Sequence, residues 1–189
     1  MKFKSAKSIF LSLASLLILS LSSTVQAQSE EEKIYMPEWE LKTADGQVVK
    51  STDLLGKPVI LHFWATWCPY CKRLQPAFDR LKEKYEEQGL QIWAISFNES
   101  KGAKPQEMLN KRGHTFKTLV DGDRVAIGMF EVNATPTTFF YYADGSLMGM
   151  TQMSDPENPG LEQAVEHLLA DMKEKQAKGG QKDMSGATE

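Results

Sequence analysis

Residues 56–71 read Gly56-Lys57-Pro58-Val59-Ile60-Leu61-His62-Phe63-Trp64-Ala65-Thr66-Trp67-Cys68-Pro69-Tyr70-Cys71. From Pro58 to Trp64 the run is almost continuously apolar, rich in β-formers and too short for a helix of its own. It predicts a central strand buried on both faces, with His62 as its one polar member. Helical periodicity begins at the cysteines. Leu74, Ala77, Phe78, Leu81 and Tyr85 share one face, Lys, Arg and Glu take the other, and Gly89 supplies the stop. Pro76 inside this helix is expected to kink it.

The two cysteines therefore stand where a buried strand hands over to a helix. Backbone N–H groups and the positive end of the helix dipole favour a thiolate there, which makes Cys68 the candidate nucleophile. Pro69 in the first turn presets φ and lacks an N–H that would go unpaired, so the motif is rigid before substrate arrives. Cys71, one turn on, is the candidate resolving thiol. A bridge between the two closes a loop too short to constrain the unfolded chain much, so the value of the pair lies in reactivity. The competing reading is half of a zinc site. That site needs two further ligands, and His114 and His167 show no ligand spacing to the pair.

Upstream, Trp39 to Val48 alternates and carries Asp45-Gly46, which predicts an N-terminal hairpin. Downstream, Leu90–Phe97 reads as a second apolar strand and Pro105–Arg112 as a short helix stopped by Gly113. Phe116–Val120 reads as a strand and Asp123–Phe130 as a short helix. Thr137–Tyr142 then turns through Asp144-Gly145 into Leu147–Met150. Pro159 starts a last amphipathic helix carrying Leu161, Val165, Leu168, Leu169 and Met172. This order fits an α/β layer, parallel at its beginning and antiparallel at its end, with helices on both faces.

The first residues predict export. Lys2, Lys4 and Lys7 precede an apolar run from Ile9 to Leu21, and Val25-Gln26-Ala27 offers a small-residue cleavage site, so residues 1–27 read as a signal peptide cleaved after Ala27. A retained anchor is the alternative, although the run falls short of the roughly 20 residues that spanning needs. The remaining divisions are a flexible mature N-terminus at 28–35, a domain at 36–176 and a disordered tail at 177–189. Without the three lysines, 19 basic residues face 25 acidic ones, a net charge of −6. That balance disfavours nucleic acid as a partner.

The run Gly56–Cys71, together with Ala134-Thr135-Pro136-Thr137-Thr138-Phe139-Phe140, resembles the TlpA/ResA-like branch of the thioredoxin superfamily over about residues 36 to 172. Phe63-Trp64-Ala65-Thr66-Trp67-Cys68-x-x-Cys71, followed about 65 residues later by Thr135-Pro136 before a β-run, is a specific combination. The resemblance implies a thioredoxin-like three-layer α/β/α sandwich, with a mixed central sheet and an N-terminal β-hairpin extension. It makes Pro136 the superfamily's cis-proline beside the cysteines and Pro76 the family's helix-kinking proline. It gives Thr135 a role in pairing with extended substrate. His62 takes the strand position where thioredoxins proper commonly carry a buried acid, so the resemblance implies a proton-transfer role toward Cys71. A core histidine with satisfied ring nitrogens is the competing reading.

Trp67 and Tyr70 are expected at the surface as substrate contacts with Pro69, and Trp64 as packing. The expected activity is reduction of periplasmic protein disulfides by a monomer without cofactor or metal, re-reduced by a membrane thiol donor of the DsbD or CcdA type. Leu74 stands where several apocytochrome c reductases of this branch carry a glutamate, which argues against that specialised role. Two other readings use the same sequence. One is a thiol oxidase or isomerase running the cysteines in the other direction, and the other is a Cu(I)-binding module built on Met148, Met150 and Met153.

Overall fold

The structure is a computed structural model that describes residues 32–185, with side-chain surroundings to residue 179. The 1–27 segment expected to direct export lies outside these residues. Strand β3 (Val59–Trp64) is buried at every position, as a strand covered on both faces must be. It leads directly into helix α1 (Pro69–Tyr85). Strand β4 (Gln91–Ser96), helix α2 (Pro105–Lys111), strand β5 (Lys117–Val120) and helix α3 (Asp123–Gly128) follow. The antiparallel pair β6 (Thr137–Tyr141) and β7 (Leu147–Thr151) and helix α4 (Gly160–Ser185) complete the order. Ahead of β3 lies the expected hairpin, β1 (Glu40–Thr43) and β2 (Val48–Lys50), turned at Gly46 with φ 88°.

All seven strands form one mixed sheet in the order β2-β1-β5-β4-β3-β6-β7. The pairs β3–β4 and β4–β5 are parallel, and the others are antiparallel. This is the thioredoxin-like α/β arrangement, with the hairpin added at the β5 edge. Because successive strand residues point to opposite faces, β3 feeds two cores. Ile60 and Trp64 pack with Leu74, Phe78 and Leu81 of α1 and Val165 and Leu168 of α4. Leu61 and Phe63 pack with Ile95, Leu119 and the α3 residues Val125 and Ala126 on the other side.

Parts of the two segments that flank the 36–176 domain are described. Of the 28–35 segment residues 28–31 lie outside the described ones, while further on Leu147 N donates to Ile34 O at 2.7 Å and Tyr35 bridges Ser146. Backbone pairing with the β6–β7 turn holds that end without any apolar pattern to announce it. The tail expected to be disordered from 177 is helical through Ser185. Once α4 is nucleated by its docked half, each further residue adds a hydrogen bond at little cost. None of the described helices is long and apolar enough to cross a membrane.

Gly122 carries the close approach between the β5–α3 junction and β4, its N–H donating to Ser96 O at 3.0 Å. A Cβ there would collide with Ile95 Cγ2 and stand 2.8 Å from Ser96 O. Gly122→Ala should therefore destabilise the fold by about 2 kcal/mol, the usual scale of overpacking, read as a lower urea midpoint at unchanged slope.

Candidate active site

Cys68 and Cys71 form a disulfide with Cα atoms 5.3 Å apart. Cys68 is the N-cap of α1 in extended conformation, Pro69 occupies the first helical turn, and Cys68 Sγ accepts the Cys71 N–H at 3.0 Å. A sulfur thus fills the capping role that Ser or Asp oxygens usually take, satisfying one of the helix's orphan donors. The same N–H is placed to stabilise a thiolate once the bridge opens. Cys68 keeps 2% of its surface and Cys71 none, so the pair is more enclosed than the sequence leads one to expect, and Cys68 is the outer of the two.

Around them stand the exposed aromatics foreseen from the sequence. Trp67 and Tyr70 are each 55% exposed. Trp67 Nε1 donates to Asn98 O at 2.8 Å, and the Arg73 guanidinium lies 5.2 Å from the Tyr70 ring centre. Pro69 is exposed as well. Trp64 is fully buried and donates from Nε1 to Thr118 Oγ1 at 3.0 Å.

The antiparallel register of β3 and β6 pairs Phe63 with Thr137. It therefore carries Pro136 to the level of Trp64, the end of β3 from which the cysteine loop leaves. The Thr135–Pro136 bond is cis, Pro136 is buried and Thr135 half-buried.

His62 lies on the same sheet face as Ile60 and Trp64 and hence on the side of α1. Its ring is fully buried with its centre 4.6 Å from that of Phe78. Nδ1 is 3.1 Å from Thr138 Oγ1, while Nε2 has no partner among the described residues. Burial alone pushes its pKa down to about 3, so the ring is neutral at any ordinary working pH.

Several residues that hold the site gave no signal in the sequence. Glu99, in the loop after β4, accepts the Thr66 N–H at 2.8 Å and the Thr66 hydroxyl at 2.5 Å. Arg112, at the end of α2, donates from one nitrogen to Thr66 O and from the other to Gln75 Oε1, both at 3.0 Å. They come from distant segments and belong to no motif, so only the folded topology brings them to the cysteine loop.

The methionines of the copper reading do not share a face. An irregularity opposite Phe140 and Tyr141 lets Met148 pack on the α1 side, where Met153, beyond the strand, packs as well. Met150, opposite Phe139, lies in a groove with Phe130 on the other side. Met148 and Met153 pack against the α1-side core, and Met150 stands apart from them. Among the described residues no group of three or more His, Cys, Asp or Glu could hold a metal.

The sequence model of the AhpC/TSA family matches residues 35–150. Thiol-disulfide oxidoreductase ResA of Bacillus subtilis is 32% identical over 112 residues, 59% of this chain and 62% of that protein. ResA of Geobacillus thermodenitrificans is 30% identical over 138 residues, 70% of this chain and 79% of that protein. The chain thus spans a little under two thirds of the Bacillus subtilis relative.

A secreted Mycobacterium tuberculosis disulfide oxidoreductase homologous to Escherichia coli DsbE superposes with a TM-score of 0.60 at 25% identity, covering 68% of this chain and 95% of that one. A thioredoxin-family thiol:disulfide interchange protein of Chlorobium tepidum shares the fold with a TM-score of 0.66 at 22% identity, over 75% and 99%. The resemblance read from Gly56–Cys71 is borne out: the chain belongs to the AhpC/TSA family of thioredoxin-fold proteins, alongside relatives named thiol-disulfide oxidoreductase ResA.

Proposed function

We propose that this chain is an exported thiol-disulfide oxidoreductase that reduces protein disulfides in the periplasm. The observation that carries the reading is the disulfide at the mouth of α1, its outer sulfur accepting the Cys71 N–H. In the reduced enzyme the Cys68 thiolate attacks one sulfur of a substrate disulfide and the other substrate sulfur leaves as thiolate. Cys71, losing its proton to that departing sulfur, then attacks Cys68 Sγ and frees the second substrate sulfur. Two electrons pass to the substrate and the Cys68–Cys71 bridge forms.

Trp67, Pro69 and Tyr70 supply the docking surface. Thr135, ahead of Pro136, offers backbone groups to an extended substrate segment. Reduction rather than oxidation rests on the likeness to the TlpA/ResA branch, and it calls for a membrane thiol donor of the DsbD or CcdA type to restore the dithiol. The enzyme works as a monomer, and residues 1–27 serve as the signal peptide that directs export and is cleaved after Ala27.

His62 acts as a neutral imidazole assisting the proton's departure from Cys71. A base held near 3 is a weak one, so the assistance is modest. His62→Asn should slow turnover by less than about tenfold with attack by Cys68 intact. A pH dependence of turnover identical to the parent's would remove the role.

The direction of the reaction is tested by equilibrating the protein with glutathione buffers. A reduction potential near that of thioredoxin, about −270 mV, supports the reductase, and one near that of DsbA, about −120 mV, supports the oxidase.

A further inference from the structure

Thr66 is gripped on both sides of its backbone, and the two grips come from different elements. Glu99 takes its N–H and hydroxyl from the loop after β4. Arg112 takes its carbonyl from the end of α2. Thr66 lies two residues before Cys68, so whatever fixes its peptide planes fixes the loop that delivers the sulfur to the head of α1.

The Arg112 fork does more than hold that loop. Its second nitrogen donates to Gln75 Oε1, and Gln75 is a fully buried residue of α1 whose Nε2 has no partner among the described residues. The guanidinium also sits 5.9 Å over the Trp64 ring, at the end of β3. One planar cation therefore touches the strand before the cysteine loop, the loop itself and the helix after it. A rigid, two-pronged donor suits this task, whereas an ammonium offers one point of charge. The cost of bringing a guanidinium half out of water is offset by a carbonyl, an amide oxygen, an aromatic face and the nearby Glu99 charge.

We propose that Arg112 is a positioning residue for the cysteine pair, its fork fixing the Thr66–Cys68 loop against α1 so that Cys68 Sγ stays aligned on the Cys71 N–H. The inference rests on the exchange chemistry proposed above, yet its test does not need a protein substrate. Losing the fork lets the loop shift against the helix, lengthens the Sγ···H–N contact and leaves the thiolate less stabilised. A residue that only supports the fold would lower stability and leave the thiolate alone.

The test compares the full chain, reduced with dithiothreitol and freed of it, as wild type, Arg112→Met and Arg112→Lys. The rate of Cys68 alkylation by iodoacetamide is followed across pH by mass spectrometry of the Cys68 peptide, beside urea unfolding. In Arg112→Met the alkylation midpoint should move to higher pH and the rate at pH 7 should fall about fivefold. Arg112→Lys keeps the charge and the stem over Trp64 but not the fork, so it should show most of the same change and serves as the folded control if the methionine variant fails to fold. Midpoints unmoved in the folded variants, or a lysine variant behaving as wild type, would overturn the proposal.

Insulin reduction by the wild type is measured in parallel. A shifted midpoint with an inert wild type keeps the positioning role and sinks the reductase reading. An active wild type with an unshifted midpoint does the reverse.

Discussion

Cys68→Ser should reduce the rate of insulin disulfide reduction by about three orders of magnitude or more, while Cys71→Ser should trap the enzyme on its substrate. The asymmetry follows from position. The chain has two cysteines, and a serine oxygen at position 68 is neither ionised near neutral pH nor able to form the mixed disulfide. Cys71 offers no substitute nucleophile, because it is fully buried behind the exposed Trp67, Pro69 and Tyr70. In Cys71→Ser the Cys68 sulfur remains the N-cap and can still attack, but nothing then displaces the product thiol. A covalent adduct should accumulate and be visible on non-reducing gels, released by dithiothreitol. Expressed in its native cell, that variant would also capture the proteins whose disulfides it attacks. Equal residual activity in the two serine variants would contradict the assignment of roles.

Acid should destabilise the fold through His62. Burial holds its folded-state pKa at about 3, against an ordinary value of 6.5. Between those values the unfolded chain binds a proton that the folded chain refuses. Stability is thus fully present above about pH 6.5 and is lost as pH falls toward 3. At pH 4 the loss from this ring alone is about 3 kcal/mol, each pKa unit of difference being worth about 1.4 kcal/mol. That is a large part of the stability of an ordinary domain. Urea unfolding at pH 7 and pH 4 measures the total, and the same pair of measurements on His62→Leu isolates the ring. The leucine variant starts with a different stability, since Thr138 loses its contact at 3.1 Å, but should lose about 3 kcal/mol less on acidification. Equal acid losses in parent and variant would show that the ring is reached by water.

Most of the fold was legible in the sequence because its decisive parts are local. The apolar run Val59–Trp64 can only be a covered strand, and the cysteines follow it at a helix start that Pro69 marks. The turns at Asp45-Gly46 and Asp144-Gly145 need the positive φ that glycine supplies, 88° and 81° here. What stayed hidden depends on contacts between distant segments. The strand-like tie of Ile34 and Tyr35 to the β6–β7 turn uses backbone alone, with no side-chain pattern behind it. The separation of Met148 from Met150 follows from one irregularity in β7, which spacing alone cannot reveal. The grip of Glu99 and Arg112 on Thr66 joins residues 33 and 46 positions away from it, from elements whose sequences carry no motif. His62 was recognisable as unusual, yet the depth of its burial, and so its weakness as a base, came only from the packing of Phe78 and the strand neighbours around it.

The central claim is that Cys68 and Cys71 form one reversible two-electron couple in the folded chain. The most direct measurement equilibrates the native protein first with reduced dithiothreitol and then with oxidised glutathione. After each step it quenches with acid, unfolds the chain, alkylates with iodoacetamide and counts the modified thiols by intact mass. The account predicts two alkylated thiols after the first step and none after the second, repeatably and without loss of fold. A chain that keeps the same thiol count under both conditions would contradict it.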